Sequence, residues 1–491
     1  MNAHRYRLIL LIIALTLAAC GQQTAAPDGD LPSAANKVDA PTPSFWQTAA
    51  LPYRGLVLRG ITEDSPPSLY IRDVLAPAFA QETGIEIKLE ISANPTIEGL
   101  INAGTAEYDF VYVEQDVIYG YLAQQRLTNL TQLQQTNVAL VAPDFNPEDF
   151  IDLIDAFRDP ASGDLYGIPI EAFIKVYLYR KDLFEDPTIK AAFAAEHHYP
   201  LAPAVTFTQY HDIALFFTRY GQTHNLPLWG TTLQASDNSV ASFYEFVETI
   251  APSFGVYDWG INLATYRATV ANGGQLDSDL AVRALTYWLD LLPLAPPTAT
   301  GSDWTAVAAS FGRGEAAQGW VYGEHVAWLA TDAARSQVVG KVGVALPPTG
   351  PGVIEDAAIG AGYLGYYDGA AFGIPARSAN PAATLLWLQY LGQPAVQPAW
   401  AVNSGRIVHL ATFDDPLVQV QNTRLNGYYT LMKKQGHLLA GAPPFAFHTA
   451  VRDVIAPFIY QAIGGELTPT AALQGAALAA DAELVRLGYG R

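Results

Sequence analysis

Acidic residues recur just past short strand-like runs in this chain. Glu63-Asp64 follow Gly55–Ile61 (GLVLRGI), Glu114-Gln115-Asp116 follow Tyr108–Val113 (YDFVYV), and Glu171 follows Gly167-Ile168-Pro169-Ile170. Trp320 and Tyr322 lead to Glu324. Carboxylates gathered at one cleft can accept hydrogen bonds from ligand hydroxyls or hold a cation. A pair about 5–10 Å apart, one with a raised pKa, can also hydrolyse a glycosidic bond. Aromatic faces beside them would cover the C–H patches of a sugar. The same residues have structural uses: Asp116 stands where it would cap a following helix, and Glu63-Asp64 suit a solvated turn.

Other chemistry-bearing patterns are mostly missing. No Gly-x-Ser-x-Gly elbow, Walker loop, His-Glu-x-x-His pair or EF-hand loop occurs. Gly360-Ala-Gly362-Tyr-Leu-Gly365 matches a dinucleotide fingerprint letter for letter, but a strand pattern follows instead of a helix, so it reads as a connection. Glu196-His197-His198 reads as a solvated loop, because adjacent histidines rarely face one metal. Tyr366-Tyr367 could offer phenolates to ferric iron; one ring inward and one outward is the plainer use. Trp229, Trp259 and Trp304 read as packing residues. No cofactor is expected.

The elements that must position these groups alternate. Gly55–Ile61 reads as a strand, Leu69–Gly84 as an amphipathic helix ended by glycine, and Ile85–Ile91 (IEIKLEI) as a half-buried strand. A helix from about Thr96, the strand YDFVYV and a helix through Leu122 follow. Such alternation predicts an α/β fold with helices on both faces of a sheet. Further on, helices are predicted at Phe207–Tyr220, Val240–Ala251, Leu280–Leu291 and Pro381–Leu391, and strands at Ile174–Tyr179, Lys341–Leu346 and Ala370–Ile374. Thr468–Leu487 is alanine-rich and helical, with Thr468-Pro469 as its start.

With 491 residues the chain exceeds one ordinary domain. Half of it is hydrophobic and only 15% charged, ample for large cores. Its formal charge of −20 argues against nucleic acid or an anionic membrane face as partner. The single cysteine, Cys20, closes Leu17-Ala-Ala-Cys20 behind a basic start (His4, Arg5, Arg7) and the short apolar run Leu8–Leu17. This resembles a bacterial lipoprotein signal: residues 1–19 would be removed and Cys20 lipidated. Residues 20–52, small and proline-dotted over Gly21–Pro43, read as a tether, with order beginning near Tyr53. No disulfide is then available.

Several segments resemble family 1 extracellular solute-binding proteins, the sugar-binding subunits of ABC importers typified by maltodextrin-binding protein. They are Gly163–Glu171 (GDLYGIPIE) with Tyr177–Phe184 (YLYRKDLF), Thr206–Tyr210 (TFTQY), and Asn272-Gly-Gly274 with the helix around Ala284–Leu289. Phe311–Ala317 (FGRGEAA), Gly340–Pro347 (GKVGVALP) and Gly373–Pro375 with Ser378–Ala383 complete the series in the family's order. The resemblance runs from about Tyr53 to the C-terminus. It implies a two-lobe periplasmic-binding-protein fold of type II kind, with ligand between lobes that close on it. Crossings would fall near 170–172, 363–366 and 416. The N-lobe would hold 53–170 and 366–415, and the C-lobe 172–362 and 417–491.

By the same resemblance, Glu63, Asp64, Glu114 and Asp116 would bind ligand from one lobe, Glu171 from the first crossing, and Tyr244, Trp320, Tyr322 and Glu324 from the other lobe. Tyr363 and Tyr366 would join them from the second crossing, and Arg406 from the loop Asn403-Ser-Gly-Arg406. His448, in Ala446–Arg452 (AFHTAVR), stands where maltodextrin binders place tryptophan, which counts against long linear maltodextrins. The function implied is capture of a sugar or oligosaccharide outside the cytoplasm by a lipid-anchored monomer, at the cell surface or in the periplasm, for delivery to ABC permease subunits. A polyamine or ferric iron in the same fold, an exported glycosidase and a ligand sensor are the alternatives.

Overall fold

The computed structural model describes residues 43–490 and builds them around eight strands: β1 Val57–Thr62, β2 Glu86–Ile91, β3 Phe110–Glu114, β4 Gly167–Arg180, β5 Trp229–Thr232, β6 Ala316–Tyr322, β7 Val342–Ala345 and β8 Tyr367–Gly373. Their order is β2-β1-β3-β8-β4-β6-β5, with β7 also pairing β4. β1 runs parallel to β2 and β3, as helical connections require. β8 enters antiparallel between β3 and β4. Cys20 and the segment expected to be signal and most of the tether lie outside the described residues.

β4 carries the architecture. Its residues Gly167–Ile174 pair with β8, while Lys175–Tyr179 pair with β6 and Tyr177–Arg180 with β7. One strand thus belongs to two sheets, and the change of partner falls between Ile174 and Lys175. Beside it, Leu364 donates to the Leu438 carbonyl and Tyr367 to that of Ala440. Distant parts of the chain therefore meet where β4 changes sheets.

Two large cores flank this strand. In the first, Leu58, Ile61, Phe110, Val111 and Phe372 from the sheet pack under Phe79 and Trp387. In the second, Tyr177 and Trp320 pack with the helix Phe207–Thr223, Trp288 of the helix Asp279–Leu291, and the paired helices His448–Ile463 and Pro469–Arg486. Gly84, in the left-handed region at φ 77, ends the helix Ala76–Thr83 as the sequence predicts. No helix among the described residues is long and apolar enough to cross a membrane.

Order begins before Tyr53. Ser44 caps the helix Phe45–Ala49 through a capping box with Gln47, and buried Trp46 sits edge-on to Tyr390 at 5.3 Å. Burial of the Trp46 ring holds this piece down, so the C-terminal part of the expected 20–52 tether is folded.

Trp387 is fully buried between Phe79 (5.0 Å) and Phe110 (6.1 Å). Trp387→Ala should cost about 3–5 kcal/mol of stability in urea unfolding, because so large a cavity cannot collapse. A loss below about 1 kcal/mol would mean that this core is not packed as described.

Candidate ligand-binding site

The parallel strands end at one edge of the first sheet, and their exit loops deliver carboxyl groups there. Glu63 follows β1, Glu114 closes β3, Asp116 lies two residues on, and Glu171 stands at the irregular step of β4 opposite Ala370. Gly369 opposite this step has φ 155, and a Cβ there would run into the Glu171 carbonyl; only glycine allows the approach. Glu171 accepts from the Tyr112 hydroxyl at 2.7 Å. Asp368, on β8, belongs to the same edge and accepts from the Gly369 amide at 2.7 Å.

Groups from the second core face this edge. The segment Ala241–Phe254 is a helix interrupted by a π-helical stretch, Glu245–Ile250, and bears Tyr244, Glu245 and Glu248. It is entered through Ser239 and Val240, both at φ 50; a β-branched residue there is strained, as backbone at functional sites often is. Tyr244 donates to Asp116 at 3.2 Å and accepts from Arg452 at 3.1 Å. His448 Nε2 lies 3.2 Å from the same Asp116 oxygen. Tyr322 donates to Glu248 at 2.6 Å. Lys175, just past the partner change in β4, pairs with Glu245 and sits 4.2 Å over the Tyr322 ring. Arg406 spans the interface, with Nε 3.4 Å from Glu171 and Nη2 3.3 Å from Glu324.

Electrostatics follow from burial of so many acids. Glu63 is pushed up to about 8 by burial and then by Glu171 and Glu324. Asp368 is pushed up to about 7 by burial and then by Asp116. Burial raises Glu114 and Glu248 well above the usual carboxylate range, with Asp116 and Asp368 the leading repulsive neighbours respectively. Glu171 is raised by burial despite the opposing pull of Arg406. Burial lowers His448, so it faces Asp116 as a neutral ring near pH 7.

Not every expected residue joins this cluster. Trp320 lies in the second core, stacked on Tyr210 at 4.6 Å and 13°; its face is spent on packing. Asp64 is exposed. Tyr363 accepts from the Asp258 amide and Tyr366 from the Trp259 indole, so both phenols are used in holding the 258–259 turn. Asp116 does not cap the next helix: its Oδ2 turns to Tyr244 and His448 instead. His197 stacks on Phe193, and no cluster of metal-ligating side chains occurs among the described residues. The sequence reading missed Tyr112, Lys175, Glu245, Glu248, Asp368 and Arg452. A signal was present for some of them: Glu245 and Glu248 interrupt an otherwise apolar helix, and buried charges need partners.

A bacterial extracellular solute-binding protein family model matches residues 64–398. The chain belongs to that family. Solved structures similar to this solute-binding protein include an ABC transporter solute-binding protein from Agrobacterium radiobacter K84 in complex with ribitol, with 21% identity and TM-score 0.67, covering 87% of this chain and 99% of that one. Maltose-bound MalE3 of T. maritima has 20% identity and TM-score 0.67 over the same shares of each chain. MalX from Streptococcus pneumoniae in complex with maltopentaose has 16% identity and TM-score 0.61, covering 86% and 99%. The shared fold is the two-lobe α/β fold of periplasmic binding proteins expected from the sequence.

A carboxyl group whose pKa is raised on folding binds more protons in the folded state, so stability falls as pH rises through the window between its unfolded and folded values. For Glu63 that window is 4.5 to about 8, and for Asp368 it is 3.8 to about 7. The melting temperature of this solute-binding protein should therefore fall from pH 5 to pH 8.5, and Glu63→Gln with Asp368→Asn should flatten the fall. Parallel curves for wild type and the double variant would refute the assignment.

Proposed function

We propose that this solute-binding protein captures a polyhydroxylated small molecule, a sugar or polyol, between its lobes and presents it to the permease of an ABC importer. The observation that carries this reading is the convergence on Asp116. Tyr244 and His448 reach it from the opposite core, so contacts that close the interface and contacts that would bind ligand share the same atoms. Carboxylates and tyrosine hydroxyls suit a substrate that presents donors and acceptors alternately. Ribitol and maltose in the similar structures support the ligand class. We assign no bond-breaking step to these residues.

In this reading the lobes are 53–170 with 366–415 and 172–362 with 417–491, and β4 is the principal hinge. Its change of partners at Ile174/Lys175 supports that choice. Glu63, Glu114 and Asp116 bind from one lobe, Glu171 from the crossing between the lobes, and Tyr244, Tyr322, Glu324 and His448 from the other lobe. Arg406 acts as a clasp across them. Lipidation of Cys20 tethers the mature monomer to the outer face of the cell membrane.

A ligand at a hundred times its Kd should stabilise the protein by roughly 2.7 kcal/mol, visible as a clear rise in melting temperature across a sugar and polyol panel. Asp116→Asn should weaken binding of any ligand so found at least tenfold by calorimetry. Silence across the panel would end the saccharide reading. Separately, Cys20→Ser should move the protein from the membrane pellet to the soluble fraction; an unchanged pellet fraction would refute lipidation.

A further inference from the structure

A cavity of about 340 Å³ lies where helices of the two cores face each other. From the first core it takes Glu98 of the helix Asn94–Asn102 and Tyr121 of the helix Ile118–Ala123, whose Ile97 and Ile118 are core residues. From the second it takes Phe447 and His448 at the start of the helix His448–Ile463, and Tyr489 of the C-terminal tail. His448 links the cavity to the residues already described, since its Nε2 lies 3.2 Å from Asp116 Oδ2.

The tail is held at the cavity by its own contacts. Gly488, at φ 95, turns the chain after the helix Pro469–Arg486. The Tyr489 amide then donates to the Leu484 carbonyl at 2.9 Å, and Arg267 donates to that of Gly490. The Tyr489 ring stands edge-on to Phe447 at 4.8 Å and lies 5.1 Å from Tyr266.

Tyr121 supplies the observation that points to a ligand. It is only 3% exposed, yet its hydroxyl makes no hydrogen bond among the described residues and is not enclosed, so what remains open of this side chain faces the cavity. A phenol packed this deeply ordinarily finds a partner for its polar end. Glu98 and Tyr489 likewise make no side-chain hydrogen bond among the described residues, and Gln124 adds an exposed amide at the rim. No lysine or arginine lines the cavity, and its one acid, Glu98, is raised by burial and then by Asp116. Hydroxyls, an amide and a carboxyl that can donate or accept, set among aromatic rings, suit a neutral sugar ring better than a charged group. The volume stands at the lower end of the range for small-molecule sites, about 300–1,000 Å³, which fits one ring unit.

We propose that this cavity is a second subsite for one neutral sugar unit, completed by Tyr489, so that the ligand is a disaccharide or longer whose other unit lies beside Asp116. The proposal rests on the saccharide reading above and sets the ligand's length. The hydroxyls of Tyr121 and Tyr489 determine the preference, because a monosaccharide beside Asp116 leaves them without partners.

Calorimetry on the purified protein with glucose, maltose, cellobiose, xylose, xylobiose and ribitol tests this. At least one disaccharide should bind tenfold or more tighter than its own monosaccharide. Tyr121→Phe and Tyr489→Phe, which remove a hydroxyl and keep the ring, should each lower that ratio at least threefold, with folding checked by melting temperature. The wild-type ratios stand even if a variant fails to fold. A monosaccharide or ribitol that binds as tightly as every disaccharide would overturn the subsite and leave capture of a polyhydroxylated ligand intact. A tenfold ratio unchanged in both variants would overturn its assignment to this cavity. Silence from all six compounds would end the saccharide reading and the subsite with it.

Discussion

Desolvated carboxyl groups that repel one another are the constraint around which this molecule is arranged. Glu63, Glu114, Asp116, Glu171, Glu248, Glu324 and Asp368 feel one another across a single interface, and isolated burial of any one ion would be prohibitive. The protein meets this cost in two ways. Arg406 and Lys175 neutralise part of the set, while raised pKa values keep other members protonated over part of the neutral range. Protonated, such groups donate as well as accept, so the interface is cohesive at lower pH and increasingly strained as protons leave.

That electrostatic arrangement depends on β4. A strand that serves two sheets puts the last residue of one, Ile174, next to the first residue of the other, Lys175. The consequence is chemical as well as mechanical: the same step that changes sheets moves from Glu171, an acid of the first edge, to Lys175, the cation that steadies Glu245 opposite. The run 364–367 lies against 438–440 beside this step, which limits how the two sheets can turn about it. Rotation there would separate Asp116 from Tyr244 and His448, and Arg406 from one of its two acids.

The sequence was most legible where local pattern and burial agree. β1, β2 and β3 are rich in aliphatic and aromatic residues with clear boundaries, and their positions follow from periodicity. β5 (WGTT) and β6 (AAQGWVY) went unread because each is short and glycine or alanine breaks its run of strand-favouring Trp, Thr, Val and Tyr, Gly230 lying against Ala214 of the close helix Phe207–Thr223. The acids that follow strands were visible as candidates. Asp368 and Lys175 were not, since they lie inside strands and their partners are distant in sequence, while Glu245 and Glu248 showed only as charges interrupting an apolar helix, with nothing local to name their partners. Trp320 marks the limit of face assignment: it shares a face of β6 with Tyr322, but lies one pleat deeper, over Tyr210 and not over Glu248.

Position along a strand, not face alone, thus separates a packing ring from a polar contact. The same reasoning bears on selectivity. A site built from stacking faces discriminates by shape and tolerates charge poorly; a site built from buried acids discriminates by donor count and charge, because each unmatched acceptor retains its desolvation cost. Here the large rings are committed to the cores, and the polar groups are left to face the interface. In the proposed function a ligand must supply donors to acids arranged on both sides, and one that supplies them to only one side leaves Arg406, Tyr244 and His448 to close the remainder alone. In the proposed function, lobe closure and ligand recognition are therefore one balance of hydrogen bonds, set by how many acidic oxygens the ligand satisfies at once.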